Sequence, residues 1–343
     1  MRGLKVATLV VVLIGSLWSA GTVTVTAAPA LDPSGILVDM AGNEVIEPGE
    51  IFGLAPIWHN GSGGDVVDVT GTLSNATGPG PATYTILNNT ADYDTIANGA
   101  SGSCWDRPQL DCYLIQVSDP NPRPAFHWHM TVTETLSTGE VKTWDLHIGR
   151  TFADNSPTVP NYRFVETIFH SGVTAGCNRK SPPWYCPTLP VTREQMAIFL
   201  LRSKEGAGYK PPPVGTPTFA DVPASSSYAP WIEELVDRGI TAGCGTDPRR
   251  YCPSSPVTRQ EMAIFLLRTL EGGSYKPPSV GTPTFTDVPA SSPYAPWVED
   301  LFDRFIVAGC GTSPPRYCPT DPVSRRAMSV FLKRTFNLVL YGP

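Results

Sequence analysis

The chain has 343 residues and a formal net charge of −6 at neutral pH. An acidic chain without basic clusters is not expected to bind nucleic acid, because phosphate contacts need lysine and arginine gathered on one face. The length predicts two to three domain-sized units, and the 36 prolines and 31 glycines predict turns and short elements rather than long helices.

Residues 1–30 have the pattern of a secretion signal. Arg2 and Lys5 form a short positive region before an apolar run, and small residues follow. Cleavage is expected after Ala27 or Ala30. The alternative is an uncleaved membrane anchor, but the apolar run is short for a membrane span. We therefore predict an exported protein with no transmembrane segment after signal cleavage.

The eight cysteines fall into four close pairs. Paired cysteines in an exported chain predict local disulfides, and closing each short loop contributes about 2–3 kcal/mol to stability. Zinc is the alternative, but zinc ligands in cysteine-rich sites are usually closer in sequence. The predicted pairs are Cys104 with Cys112, Cys177 with Cys186, Cys244 with Cys252, and Cys310 with Cys318.

Residues 31–150 alternate short apolar runs with turn signals and show no helical periodicity. A turn at residues 137–140 joins two of these runs as a hairpin. About seven short strands in this length predict an all-β sandwich. The clearest predicted strands are residues 66–73, 83–87, 113–117, 130–135 and 142–148.

One group of side chains in this region has the oxygen atoms that calcium prefers, namely Asp39, Asn43 and Glu47. Their spacing is not that of a known calcium loop, so a polar turn at the edge of the sandwich is expected instead.

A second group is formed by histidines. His127 and His129 share one face of a strand and could bind a metal with His147 or His59, although an exposed sheet face explains them equally well. No G-x-S-x-G nucleophile motif is present. We therefore predict no metal, no cofactor and no catalytic residue, and the chain is not expected to be an enzyme.

The remainder of the chain is an internal repeat in three copies, at residues 151–216, 217–282 and 283–343. Arg193, Arg259 and Arg325 are 66 residues apart, as are three of the cysteines. A fixed period of this kind predicts stacked units that bury a shared core.

Each copy predicts two helices. In the second copy the first helix starts near Pro230 and buries a face that includes Trp231; Phe164 and Trp297 hold the same position in the other copies. The helix ends at Gly172 and Gly239 in the first two copies, where the backbone is expected to adopt the left-handed conformation that glycine favours. The third copy has Phe305 there, so its helix end is expected to be built differently or to be strained.

The second helix of each copy starts at a hydroxyl residue that we predict to be its N-cap: Thr192, Thr258 and Ser324. In the second copy Glu261 completes a capping box. The fourth position is Gln195 in the first copy and Ala327 in the third, and the alanine weakens the capping box in the third copy.

The N-terminal region resembles bacterial immunoglobulin-like modules. The resemblance rests on the run Gly42-Asn43 to Glu47-Pro48-Gly49-Glu50, on Trp58-His59-Asn60, and on the 95–100 stretch. It implies a fold and no activity.

The three copies resemble S-layer homology (SLH) domains. The shared pattern is F-x-D-V, then W-x-x-x-(apolar), G-I-x-x-G and finally P-V-T-R-x-(E/Q), which recurs in order. The resemblance implies a multidomain chain in which an all-β immunoglobulin-like sandwich precedes a mostly α-helical, pseudo-threefold bundle of three SLH repeats. It also implies a role as a non-covalent anchor to cell-wall polysaccharide.

The family motif places an arginine at the start of the second helix, where it grips an anionic sugar group. Free N–H groups at the helix N-terminus and a guanidinium fork both suit a carboxylate, and an aromatic ring suits a sugar face. The glycan-binding residues implied are Arg193, Arg259, Arg325, Thr192, Thr258, Ser324, Trp231 and Trp297. The alternative for the three arginines is structural pairing with acidic residues across the copies.

Two functions follow as expectations. The first is anchoring of an exported protein through an acidic cell-envelope polysaccharide or a peptidoglycan-linked glycan. The second is a disulfide-stapled structural or adhesive module that binds proteins or self-associates at the surface. The disulfides indicate an oxidising compartment, hence the periplasm or outer surface of a two-membrane bacterium.

Overall fold

The computed structural model describes residues 31–39, 42, 44–106, 111–178 and 180–341. The predicted signal segment and Asn43 lie outside these residues. Asp39 is buried and Glu47 is exposed.

The N-terminal region consists of two antiparallel sheets. One sheet has the order β1-β2-β7-β4, with β6 also paired to β2, and the other has the order β5-β3-β8-β9. The strands are β1 (Leu31–Val38), β2 (Ile51–Asn60), β3 (Val66–Thr77), β4 (Tyr84–Asn88), β5 (Thr90–Ile96), β6 (Ser101–Ser103), β7 (Tyr113–Val117), β8 (His127–Leu136) and β9 (Val141–Gly149).

The core of these sheets contains a buried carboxylate. Along β8 every second side chain is buried, as the period of a strand requires, and Glu134 is one of them. Its Oε2 accepts hydrogen bonds from the indole N–H groups of Trp58 (3.1 Å) and Trp144 (2.9 Å). Its Oε1 accepts from the hydroxyls of Tyr93 (2.5 Å) and Tyr113 (2.8 Å). Burial raises the pKa of Glu134, while the four donors oppose that rise.

The C-terminal region contains six helices among its described residues, two in each sequence copy. They are α1 (Tyr162–His170), α2 (Arg193–Glu205), α3 (Ala229–Asp237), α4 (Arg259–Glu271), α5 (Ala295–Asp303) and α6 (Arg325–Thr335). Two short hairpins, β10–β11 (Gly245–Thr246 and Arg249–Arg250) and β12–β13 (Gly311–Thr312 and Pro315–Arg316), precede α4 and α6.

Helices pack across the copies rather than within them. Helix α3 packs on α2, α5 packs on α4, and α1 packs on α6, so the first and last copies meet. The backbone closes in the same way. Val257 donates its N–H to Val191, Val191 donates to Val323, and Val323 donates to Val257, at 2.8–2.9 Å. These three hydrogen bonds form a closed cycle, which joins the copies into a ring.

The predicted helix caps are confirmed. Thr192, Thr258 and Ser324 are the N-caps, and each hydroxyl accepts from the third N–H of its helix. The capping box of Thr258 with Glu261 is present. All four predicted cysteine pairs are disulfides.

The first-helix ends share one conformation in all three copies. Gly172 and Gly239 have φ of 68°, and Phe305 has φ of 58°. The prediction of a different construction in the third copy is therefore wrong, and its alternative, local strain, applies. A left-handed backbone crowds the Cβ of an L-residue and costs roughly 1–2 kcal/mol.

Replacing Phe305 with glycine is therefore expected to stabilise the protein. The side chain is 83% exposed, so little packing is lost, and glycine removes the crowding at some cost in chain entropy. We expect a gain of about 0.5–1 kcal/mol in the free energy of unfolding, measured by urea denaturation. A stability at or below that of the wild type would show that the backbone at this position carries no strain.

Candidate functional site

The three motif arginines each reach into the next copy of the ring. The Nε of Arg193 donates to the carbonyl of Tyr251 (2.8 Å), and the Tyr251 hydroxyl donates back to the Arg193 carbonyl (2.8 Å). Arg259 and Tyr317 repeat this exchange, as do Arg325 and Tyr185. The arginines therefore hold neighbouring copies together whatever else they bind.

The aromatic rings beside these arginines are not the predicted tryptophans. The guanidiniums lie 4.6–5.6 Å from ring centroids of the next copy. Trp231 and Trp297 are instead buried beneath Arg202 and Arg268, whose guanidinium carbons are 5.3 Å from the indole centroids. The rings that contact the motif arginines are Tyr185, Tyr251, Tyr317, Phe199, Phe265 and Phe331.

The expectation of free N–H groups at the second-helix N-termini is also wrong. The N–H of Arg325 donates to the carbonyl of Leu189 (2.8 Å) and that of Arg326 to Pro187 (2.9 Å). The equivalent groups of α2 and α4 donate to carbonyls of the neighbouring copy, and the third N–H of each helix bonds its N-cap. A ligand here must therefore be recognised by side chains.

The motif arginines differ in the residue that faces them. Arg193 forms an ion pair with Glu261 at 3.2 Å, whereas the side chain at this position for Arg325 is Gln195, whose amide oxygen accepts a hydrogen bond from Arg325 at 3.4 Å. The residue at this position for Arg259 is Ala327, which has no polar side chain. Within the described residues, neither Arg259 nor Arg325 forms a salt bridge.

Arg325 lines a groove between the third and first copies, which we call groove A. Its volume is 340 Å³, and its lining includes Gln195, Phe199, Arg202 and Tyr228. Arg325 is 4% exposed, and its Nη2 has no hydrogen-bond partner among the described residues. Burial lowers its pKa, but a guanidinium stays charged at neutral pH. No carboxylate lines this groove in the part of the chain that the structure describes.

Arg193 lines the corresponding groove between the first and second copies, groove B, of 210 Å³. The lining of groove B contains Arg193, Arg268 and Glu261, which give it a net charge of +1. The lining of groove A contains Arg325 and Arg202 and has a net charge of +2. A site for an anion gains from the higher charge. Groove A is therefore the stronger candidate.

Sequence reasoning missed the second arginine of each groove. Arg202 and Arg268 are 66 residues apart, and Arg334 continues the series with its guanidinium over Phe164 at 5.9 Å. This spacing equals that of the motif arginines, which is the signal that identifies them. The buried tyrosines beside the cysteines have the same period.

The F-x-D aspartates position the tyrosines beneath the arginines. Asp221 accepts from the N–H groups of Tyr251 (2.8 Å) and Cys252 (2.9 Å), and Asp287 does the same one copy later. Burial opposes ionisation of both carboxyls, but these backbone donors outweigh it and lower their pKa values.

This arrangement predicts acid sensitivity. Because the folded-state pKa of Asp221 and Asp287 lies below the unfolded value of about 3.9, their contribution is complete above about pH 4 and is lost as the pH falls through the folded pKa. We expect the unfolding free energy, measured by urea titration, to fall as the pH is lowered from about 4 to about 2. The unfolding free energy of the Asp221→Asn/Asp287→Asn variant should fall less steeply with decreasing pH. An unchanged pH dependence would contradict this assignment.

Residues 218–263 match the family model described as S-layer homology domain. The chain carries an S-layer homology domain. Such domains mediate anchoring at the cell surface to cell-wall polymers. The match spans α3 and the start of α4, and it includes Trp231, Thr258, Arg259 and Glu261. No curated protein matches the chain.

Similar solved structures include three unrelated proteins. The alkylpurine DNA glycosylase AlkC of Pseudomonas fluorescens is 10% identical, with 35% of this chain and 30% of that chain covered and a TM-score of 0.20. A FixG-related protein of Vibrio parahaemolyticus is 12% identical (34% and 95% covered, TM-score 0.20). The PapD-like domain 7 of human CEP192 is 9% identical (39% and 96% covered, TM-score 0.20). TM-scores this low carry no argument.

Across the described residues, no helix combines the length and the apolar character that a bilayer span requires.

Proposed function

We propose that the protein is exported and anchors non-covalently to the cell envelope by binding an acidic polysaccharide or peptidoglycan-linked glycan. The observation that carries this proposal is groove A, in which Arg325 and Arg202 meet without a carboxylate in the lining. An anionic substituent such as a sugar carboxylate would supply the partner that the Arg325 Nη2 lacks among the described residues.

The SLH architecture in this proposal comprises all three copies. The second copy carries the family match, and the first and third supply equivalent helices, caps and arginine–tyrosine exchanges. The cyclic hydrogen bonds of Val191, Val257 and Val323 support a pseudo-threefold bundle. Binding would then take place between copies.

The two antiparallel sheets of residues 31–150 support an immunoglobulin-like module that the ring displays or spaces from the envelope. We propose no catalytic activity for it. The buried Glu134 is a structural carboxylate with four donors, and a general acid or base would have to be reached by substrate.

Co-sedimentation of the oxidised whole chain with purified envelope sacculi tests the proposal. The wild type is expected to pellet with the sacculi and to be released by added salt, since attraction between exposed charges is screened. Arg325→Gln is expected to reduce pelleting by about 10-fold or more, which corresponds to about 1.4 kcal/mol. Arg193→Gln is the matched control. It loses the equivalent hydrogen bond to a tyrosine carbonyl, but Arg193 lies in groove B, where Glu261 partly neutralises the positive charge.

Both variants must show wild-type circular dichroism. A wild type that does not pellet, or an Arg325→Gln variant that pellets as well as the wild type, would contradict glycan binding at groove A.

A second candidate function is adhesion through self-association. We carry it over from the sequence expectation, and Phe305, an apolar side chain that is 83% exposed on the ring, is the residue chosen to test it. A concentration-dependent sedimentation coefficient that Phe305→Gly abolishes would support it. If the chain stays monomeric at high concentration, the anchoring function stands alone.

A further inference from the structure

Four of the five histidines of the chain lie together between the sandwich and the ring. His127 and His129 come from β8, His147 from β9, and His170 is the last residue of α1. One donor nitrogen from each of His127, His147 and His170 lies within 4.8 Å of the others. His127 and His129 share a strand face as predicted. His129 is exposed, whereas the His127 ring lies against Phe169 and His170 of α1.

His147 is the centre of this cluster. It is 6% exposed, and neither of its ring nitrogens has a hydrogen-bond partner within the described part of the chain. Its ring centroid is 4.9 Å from that of His127 and 4.8 Å from that of His170. A buried polar group without a partner is costly. A ligand between the three rings would remove that cost.

Burial disfavours the charged form of these imidazoles. Together with the neighbouring histidines it lowers the pKa of His147 and of His170, and it also lowers the pKa of His127. Metal coordination uses the lone pair of a neutral imidazole nitrogen.

The surroundings suit a cation. Glu166 is fully buried, and its Oε2 is 3.8 Å from the Nε2 of His170. A carboxylate behind a ligating histidine is the usual outer partner in metal sites. His170 also lies at the negative end of the α1 dipole.

We propose that His127, His147 and His170 bind one zinc ion, which joins the sandwich to the first copy of the ring. Three imidazoles are a donor set that zinc accepts. All eight cysteines are in disulfides, so no thiolate competes for the ion.

The geometry requires only a small closure. Nitrogens that share a tetrahedral zinc are about 3.3 Å apart, as Zn–N bonds of about 2.0–2.1 Å dictate. The His127 side chain is only partly buried, so its ring can turn toward His147. The His170 ring is stacked on that of Tyr341 at 4.1 Å, so its approach to the ion must shift this stack. His129 is exposed, with its ring centroid 4.8 Å from that of His147, and we assign the fourth ligand of the ion to water.

The test uses the whole oxidised chain without a polyhistidine tag. After dialysis against a chelator, zinc chloride is added and followed by calorimetry and thermal unfolding. We expect one zinc per chain and a Tm increase of about 5 °C at 100 times the dissociation constant. Cobalt(II) should give the intense visible absorption of a tetrahedral nitrogen site.

His170→Gln is expected to lose about 100-fold in zinc affinity together with the Tm shift, because it removes one of three ligands. His59→Ala is the matched control: this histidine lies on β2 and contacts Ser101, so zinc binding should be unchanged. His129→Ala should retain one zinc. Absence of stoichiometric zinc or of cobalt absorption in the wild type, or full affinity in His170→Gln, would overturn the site. The wild-type measurements decide it even if a variant does not fold.

Discussion

Replacing Gln195 with glutamate is expected to weaken binding of the chain to acidic envelope glycan by about 10-fold, or about 1.4 kcal/mol. The new carboxylate would face Arg325 as Glu261 faces Arg193, at 3.2 Å. Groove A would then have a net charge of +1 instead of +2. A charge pair at such a distance is worth a few kcal/mol at an effective dielectric near 20, before solvent screening reduces it.

This variant separates binding from folding. Glutamate at this position would complete with Thr192 the capping box that Thr258 and Glu261 already form, so thermal stability should be equal or higher. The reciprocal variant Glu261→Gln removes the carboxylate from groove B and should increase the fraction of glycan binding that takes place at groove B. Pelleting with sacculi measures both, and unchanged pelleting in Gln195→Glu would exclude groove A as the dominant site.

Replacing Glu134 with leucine is expected to destabilise the sandwich by about 3 kcal/mol or more. The change removes the acceptor of four buried donors. Two of them, the tyrosine hydroxyls, also hydrogen-bond each other, so at least three donors are left unsatisfied, each at about 1 kcal/mol or more. The four donors are the indoles of Trp58 and Trp144 and the hydroxyls of Tyr93 and Tyr113. Urea unfolding followed by tryptophan fluorescence measures the loss.

Glu134→Gln is the matched control. Its amide oxygen can accept both indole N–H groups, and its NH₂ can donate to the tyrosine hydroxyls, which are acceptors as well as donors. The loss should therefore be only about 1–2 kcal/mol. Equal stability of the leucine and glutamine variants would show that the carboxylate is not what organises this core.

Local features were predictable from the sequence. The N-caps depend on a hydroxyl residue before a helical pattern, and the disulfides depend on cysteines that are close in sequence. A few neighbouring residues are therefore enough to predict both features. Phe305 shows the limit of such reasoning. Its backbone follows the glycines of the other copies because packing of the ring fixes the turn and outweighs the local preference of one residue.

The groove chemistry was not predictable in the same way. The motif identified Arg193, Arg259 and Arg325, but their partners belong to the spatially adjacent copy. Which copies are adjacent is decided by the packing of the ring and not by the sequence of one copy. The helix N–H groups were predicted to be free because a single helix has no neighbour. The histidine cluster needed both the register of His129 opposite His147 and the docking of α1.

Because the arrangement is cyclic, no single copy contains a complete groove. Groove A takes Arg325 from the last copy and Gln195 from the first, while Tyr228 comes from the middle one. A substitution in one copy therefore alters a site shared with its neighbours, and excision of a copy would remove parts of more than one groove. The 46 residues from 218 to 263 that match the family exclude both Arg193 and Arg268 of groove B. The smallest unit that contains a complete groove is thus the closed ring, and the sequence differences among the copies give grooves A and B different net charges.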